Sequence, residues 1–190
     1  TLNGYGWPTI SGVTFECRQN ATIFSGTNAG HSIDGGSFTK TGSGALTIDA
    51  HLKGALTIAI NGGSFTVSNN RSIANSVTFT QATLGSDDAW TAPNAFVISG
   101  TVSGSGTFNA DLTLKAGSTI DATNGTVSLA DGKSLTFPEG ELNLVGVGNG
   151  DTVIRNVTST PNGLSTAIVK IGGEAVGHLE YDAENHKGIY

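Results

Sequence analysis

The sequence predicts an all-β fold: a right-handed parallel β-solenoid of about eight coils with a cap at each end. Three observations predict it: short alternating apolar sets, a glycine in each gap between them, and an even spacing. Within residues 107–145, five sets begin at intervals of 8, 7, 8 and 7 residues. Each set has the two-residue period of a half-buried strand. Three steps make a coil of about 23 residues, so equivalent residues stack about 4.8 Å apart.

The composition agrees with a fold made of short strands and tight turns. Among 190 residues, 37% are hydrophobic, only 13% are charged and 28 are glycine. This profile suits strands and turns better than helices. A β-sandwich or jelly roll is the alternative fold, because it also combines short strands with turns. Sandwich strands average about five to six residues, however, which is longer than most of the apolar sets.

The predicted domain covers residues 1–190 as a single unit. Residues 1–12 form the expected N-terminal cap, in which Tyr5 and Trp7 cover an otherwise unpaired sheet edge. Residues 13–161 form the coils, and residues 162–190 form the C-terminal cap. Charged residues accumulate in this last segment and protect the terminal edge, which we expect to be an antiparallel hairpin.

The spacing also predicts which residues stack on one another. Leu135 is expected over Leu112, and Leu142 over Ile120, all pointing inward. The same offset of 22 places Asn143 beside Asp121 on the outer face. Two five-residue repeats recur at unequal offsets of 27 and 10, which predicts that coil length varies at the corners.

Residues 85–94 interrupt the apolar rhythm and supply the candidate binding site. The segment reads GSDDAWTAPN, and we expect it to be a loop excursion outside the coil stack. Asp87, Asp88 and Trp90 are the predicted ligand-binding residues. An exposed indole can stack on a sugar ring. Adjacent carboxylates can accept hydrogen bonds from sugar hydroxyls or bind Ca²⁺. The alternative is a solvated loop in which Trp90 folds back over the solenoid wall.

Other chemistry has little support in the sequence. Cys17 is the only cysteine, so no internal disulfide can form, and we expect it to be a small buried hydrophobic residue. The four histidines lack metal-ligand spacing, and nucleophile, phosphate-loop and dinucleotide motifs are absent. We therefore predict no catalytic residue, no metal and no cofactor. The net charge of −6 disfavours nucleic acid, and the apolar runs are too short for membrane insertion.

Residues 40–48 carry a resemblance to a known family. They read KTGSGALTI and resemble the K-x-G-x-G-x-L-T-L signature of autotransporter-associated β-strand repeats. Residues 103–108, SGSGTF, are a weaker match, and the Gly-Gly-Thr-Thr-Ile segment usual downstream is absent after Ile48. The resemblance implies an autotransporter-passenger-like β-helix in a bacterial secreted or cell-surface protein. It implies no catalytic residue.

We expect a non-enzymatic secreted or cell-surface β-solenoid, a passenger or stalk segment with an adhesive or glycan-binding role. Its expected partners are glycans, host or cell-surface proteins, and other domains of a larger parent protein, since the chain starts at Thr1 and contains no methionine. One alternative is a β-helical carbohydrate-active enzyme, a polysaccharide lyase or glycosidase, although nine Lys and Arg supply few basic groups. The other alternative is a β-sandwich carbohydrate-binding module.

Overall fold

Short strands and turns make up the described chain. The structure is a computed structural model that describes residues 10–24, 30–185 and 187–189. Within these residues there is no helix, and so none long and apolar enough to cross a membrane. In chain order the strands are β1 (Ile10–Glu16), β2 (Ala21–Ile23), β3 (Ser32–Thr41), β4 (Leu46–Ile48), β5 (His51–Asn61), β6 (Phe65–Val67), β7 (Thr78–Leu84), β8 (Ala89–Thr91), β9 (Phe96–Gly104), β10 (Thr107–Asn109), β11 (Leu112–Leu114), β12 (Ser118–Asp121), β13 (Ser128–Leu129), β14 (Leu135–Thr136), β15 (Gly140–Val145), β16 (Thr152–Arg155), β17 (Ala167–Ile171), β18 (Glu174–Gly177), β19 (Glu180–Asp182) and β20 (Lys187–Ile189).

The strands form a parallel β-solenoid, as predicted. Sheet A runs β1-β3-β5-β7-β9-β12-β15-β17-β18, and β11 and β14 attach to it beside β9. Sheet B runs β19-β20-β16-β13-β10-β8-β6-β4-β2. Pairing is parallel from β1 to β17 in sheet A and from β2 to β16 in sheet B. The inward side chains of both sheets form one hydrophobic core.

The solenoid has about six turns, fewer than the predicted eight. Coil length is uneven: paired residues are 18 apart from Thr91 to Asn109 but 27 apart from Ser128 to Arg155. Antiparallel strands near the C-terminus also use chain length that the prediction assigned to coils. The number of strands per coil changes as well, because β9 pairs with both β11 and β12. One long strand is thereby continued by two short strands in the next coil.

The predicted stacking register is confirmed at one position and wrong at another. Leu112 pairs with Leu135, as predicted. Leu142 pairs with Ser118, two residues before the predicted partner, Ile120. The prediction placed Leu142 at an offset of 22, one residue less than the offset of 23 between Leu112 and Leu135, whereas the observed offset from Ser118 is 24, one residue more. The corner between Leu135 and Leu142 is therefore two residues longer, relative to the coil below it, than the prediction assumed. Leu142 still points inward and is fully buried, because a shift of two residues preserves the face of a strand.

The same shift corrects the predicted polar pair on the outer face. Asp121 pairs with Val145, and Asn143 pairs with Thr119, so Asp121 and Asn143 are not neighbours across the sheet. Asp121 accepts a hydrogen bond from the Thr123 N–H at 3.0 Å. The Asn143 amide donates to the Gly117 carbonyl at 3.2 Å, so the two side chains have different hydrogen-bond partners.

The two ends of the solenoid differ from each other. At the C-terminal end, β17 continues the parallel stack and pairs antiparallel with β18. Strand β20 pairs antiparallel with β16 and β19, so the antiparallel pairing expected there is present. At the other end, Tyr5 and Trp7 lie outside the described residues. Strand β1 begins at Ile10 and pairs with β3, so the ladder starts within the predicted cap of residues 1–12.

The prediction that residues 85–94 form an excursion outside the stack is wrong. Ala89–Thr91 is strand β8 of sheet B, and it pairs in parallel with β6 and β10. The segment was misread because only one large apolar residue, Trp90, marks the strand, whereas Ala89 and Thr91 face outward beside it. Cys17 is buried and unpaired, which confirms its prediction as a small core residue.

The Leu112–Leu135 stack gives a direct test of the register. We expect the Leu112→Ala and Leu135→Ala substitutions to be coupled by about 1 kcal/mol in a double-mutant cycle, because each removes a contact of the other. The free energy of unfolding is measured by urea titration. The control cycle combines Leu112→Ala with Ile33→Ala, a buried residue several coils away, and should be additive within about 0.5 kcal/mol. Equal coupling in both cycles would contradict the register.

Candidate functional site

Trp90, the centre of the predicted binding site, lies at the centre of the core instead. Its ring centroid is 5.4–5.6 Å from those of four phenylalanines. The indole is 0% exposed, so it cannot stack on a sugar ring from solvent. Sheet B supplies Phe65 and Phe108, which pair with Trp90 on either side, whereas Phe79 and Phe96 reach it from sheet A. The five rings form a continuous aromatic cluster through consecutive coils.

Asp88 is a structural carboxylate, unlike its exposed neighbour Asp87. Its Oδ2 accepts hydrogen bonds from the Gly85 N–H at 2.7 Å and from the Gly63 N–H at 3.0 Å. Its Oδ1 lies 3.4 Å from the Ser64 hydroxyl, which donates to it. Asp88 thus closes its own turn and attaches it to the preceding coil. The structure therefore does not gather the three predicted residues into one binding surface.

Asp88 belongs to a polar arrangement that sequence reasoning missed. Lys40 is buried in β3, and its Nζ donates to the Gly42 carbonyl at 2.8 Å and to the Gly62 carbonyl in the next coil. Gly63 follows and donates to Asp88 in the coil after that. We call Lys40, Gly42, Gly62, Gly63 and Asp88 the Lys40–Asp88 tie. It links three consecutive coils through charged side chains and backbone groups.

The glycine at the middle of the tie is required by space as well as by conformation. Gly63 has φ near +75°, a left-handed conformation that glycine adopts without strain. A Cβ at this position would lie 2.5 Å from Lys40 Nζ and 2.9 Å from the Ser43 carbonyl carbon. Any larger residue would therefore displace the ammonium group or the neighbouring backbone.

Burial lowers the pKa of Lys40 below its ordinary value, because the charged ammonium loses water. Charge interactions with Cys17 and Asp88 oppose this shift and raise the pKa, but desolvation is the larger effect. A signal for this burial was present in the sequence. Lys40 lies two residues after the inward-facing Phe38 in the same strand, so the strand period turns Lys40 inward too.

Two open clefts lie elsewhere on the described surface. One, of about 640 Å³, is lined by residues 160–165 together with His178 and Leu179. The other, of about 280 Å³, includes Asp151 and Arg155 among its lining residues. Neither contains Asp87, Asp88 or Trp90. Within the described residues, no group of three or more His, Cys, Asp and Glu side chains could hold a metal ion.

No protein-family model, curated protein or solved structure matches this chain. Apart from the weaker match at residues 103–108, the resemblance to autotransporter-associated β-strand repeats is carried by residues 40–48. In the structure this segment supplies Lys40 and Gly42 of the tie and then strand β4. Residues 40–48 therefore complete strand β3 of sheet A, turn the corner and form strand β4 of sheet B.

The burial of Trp90 predicts a large effect on stability. We expect Trp90→Ala to lower the free energy of unfolding by about 3–5 kcal/mol, because it leaves a cavity within the aromatic cluster. The matched control is Asp87→Ala, at an exposed position in the turn that precedes β8, with an expected effect within about 0.5 kcal/mol. Urea titration measures both. Similar small effects from the two substitutions would restore the prediction of an exposed loop.

The lowered pKa of Lys40 predicts a pH-dependent stability. Between the folded-state pKa and pH 10.5, the unfolded chain holds a proton that the folded chain has released. The free energy of unfolding should therefore rise with pH across this window, and this contribution should be flat below it. We expect Lys40→Met to lose the rise, as measured by urea titration at a series of pH values. Lys115→Met, at an exposed lysine, should retain it. Parallel curves for wild type and Lys40→Met would contradict the assignment.

Proposed function

We propose that this chain is a rigid, non-enzymatic spacer segment of a secreted or cell-surface protein. The observation that carries the proposal is the way its outer side chains stack. On sheet B, Thr22, Thr47, Thr66 and Thr91 pair in register from coil to coil, and Asn109 continues the column. A regular column of short polar side chains stabilises a sheet that faces water on its outer side.

The interior supports the same proposal. A solenoid whose coils contact only their neighbours gains stiffness when side chains also connect the coils. The Lys40–Asp88 tie connects three coils. Arg71 Nε donates to Asp49 Oδ1 of the preceding coil at 2.7 Å. These buried and half-buried charged groups connect neighbouring coils, which is the property that a spacer needs.

The outer face of sheet B is the surface that best fits an adhesive role. Its threonine column is joined by a second column that includes Ser64, Ala89 and Thr107. Neither set carries a charge, and hydroxyl groups can donate and accept hydrogen bonds with the hydroxyls of a glycan. This surface replaces the buried Trp90 as the proposed contact with glycans or cell-surface proteins.

The proposal is tested by pulling the chain between two marker domains in a force microscope. We expect discrete unfolding events, because strand ladders and core contacts must break together. Trp90→Ala should lower the unfolding force, since it weakens the aromatic cluster, whereas Asp87→Ala should leave the force unchanged. Gradual extension without unfolding events would contradict a rigid spacer.

A separate screen tests the enzymatic alternative. The chain is incubated with uronic-acid and neutral polysaccharides, and new reducing ends or unsaturated products are measured. We expect no turnover, because the buried charged residues Lys40 and Arg71 make structural contacts, whereas cleavage needs an acid or base positioned at the substrate. Product release by the wild type, abolished by substituting a single Asp or Glu, would replace the spacer proposal by a carbohydrate-active enzyme.

A further inference from the structure

Unsatisfied polar atoms concentrate at one corner of the solenoid, where the chain passes from sheet B to sheet A. Within the described residues, five buried side-chain nitrogen or oxygen atoms have no hydrogen-bond partner. Four of them belong to three residues of this corner: His31 Nδ1, Ser32 Oγ, Arg71 Nη1 and Arg71 Nη2. A buried donor without a partner is destabilising, because it has lost its hydrogen bond to water, so such a concentration requires a cause.

Arg71 is the main component of this corner. Its side chain is only 1% exposed, and its Nε donates to Asp49 Oδ1 at 2.7 Å. The turn closed by the hydrogen bond from the Arg71 N–H to the Ser68 carbonyl places the side chain there. Asp49 engages only the Nε side of the guanidinium. The two Nη groups, which form the other edge of the fork, have no partner.

The strand register brings His31 to the same corner. Ser32 pairs with His51, and extending this register by one residue places His31 opposite Ala50 in the next coil. Leu52 pairs with Ile73, and extending that register by two residues places Ala50 opposite Arg71. His31, Ala50 and Arg71 therefore form one column across three coils. Ala50 is fully buried and is the smallest member, which leaves the imidazole and the guanidinium as the polar groups on either side of it.

We propose that this corner is an internal binding site for a small inorganic anion, held by Arg71 Nη1 and Nη2 and completed by His31 Nδ1. A guanidinium edge with two parallel N–H groups binds an anion in a bidentate manner. His31 adds a third donor when Nδ1 carries the proton. Ser32 is not part of the site, because successive residues of a strand point to opposite faces.

The donors explain why an anion fits better than a water molecule. The two Nη groups can only donate, and a water molecule accepts about two hydrogen bonds while its own two hydrogens need acceptors. An anion is an acceptor alone, so it satisfies several convergent donors without leaving hydrogens of its own unpaired. Asp49 already balances the charge of Arg71, so the anion is held by hydrogen bonds from the free guanidinium edge and not by excess positive charge.

Bromide is the probe for this site, because its anomalous scattering locates it in a crystal. We expect a bromide peak within hydrogen-bonding reach of Arg71 Nη1 and Nη2, on the side facing Ala50. In solution, gluconate is replaced by bromide at constant ionic strength. When the bromide concentration is ten times the Kd of the site for bromide, the Tm should rise by about 4 °C. Chloride should compete with bromide for the same peak.

Two variants separate binding from folding. His31→Phe keeps an aromatic ring beside Phe24, whose centroid is 5.2 Å from that of His31, but it removes the donor. It should fold and weaken bromide binding roughly fivefold. Arg71→Gln should lose the Tm response entirely, whereas Arg18→Gln, at an exposed arginine, should retain it.

The wild-type crystal decides the question even if Arg71→Gln fails to fold. A bromide peak at the guanidinium edge together with a Tm response supports the site. Water alone at that position, with equal Tm values in bromide and gluconate, overturns the proposal. Bromide bound only at exposed lysines, an adventitious ion only, would overturn it as well.

Discussion

The parallel register between neighbouring coils is the constraint on which the rest of this structure depends. A slip by one residue would turn an inward column of leucines and phenylalanines toward water. Glycine helps to fix the register where coils approach closely: a Cβ at Gly100 would overlap the Thr80 carbonyl, and one at Gly104 would overlap the Leu84 carbonyl. These contacts leave the coils little freedom to slide past one another.

Buried polar groups add a second level of control over the register. The buried Lys40 and Arg71, together with the half-buried Asp88, each contact the backbone or a side chain of another coil. Placing charges in a core rarely adds net stability, because desolvation offsets the attraction between them. Their effect here is one of specificity, since an alternative register would leave the same charges buried without partners. Charged residues therefore occur inside an otherwise apolar solenoid because they specify its register.

The fold class could be predicted from the sequence because strand period and coil length repeat many times, whereas the candidate site depended on a few residues. The Leu112–Leu135 stack followed from a spacing of 23, but Leu142 was misplaced because the length of one corner leaves no periodic trace. Trp90 was misassigned since a strand of three residues with one large apolar side chain resembles a loop. Lys40 was missed because lysine is rarely buried, although its strand position indicated it.

A distance measurement along one outer column tests the central claim most directly. Strand pairing places Thr39 and Lys170 in the same column of sheet A, six strand spacings apart. Spin labels on Thr39→Cys and Lys170→Cys, in a Cys17→Ala background, are compared by double electron–electron resonance. A rigid stack in this register predicts one narrow distribution that corresponds to a Cα separation of about 29 Å. A broad distribution, or a mean that differs by more than about 10 Å (two strand spacings), would contradict the account.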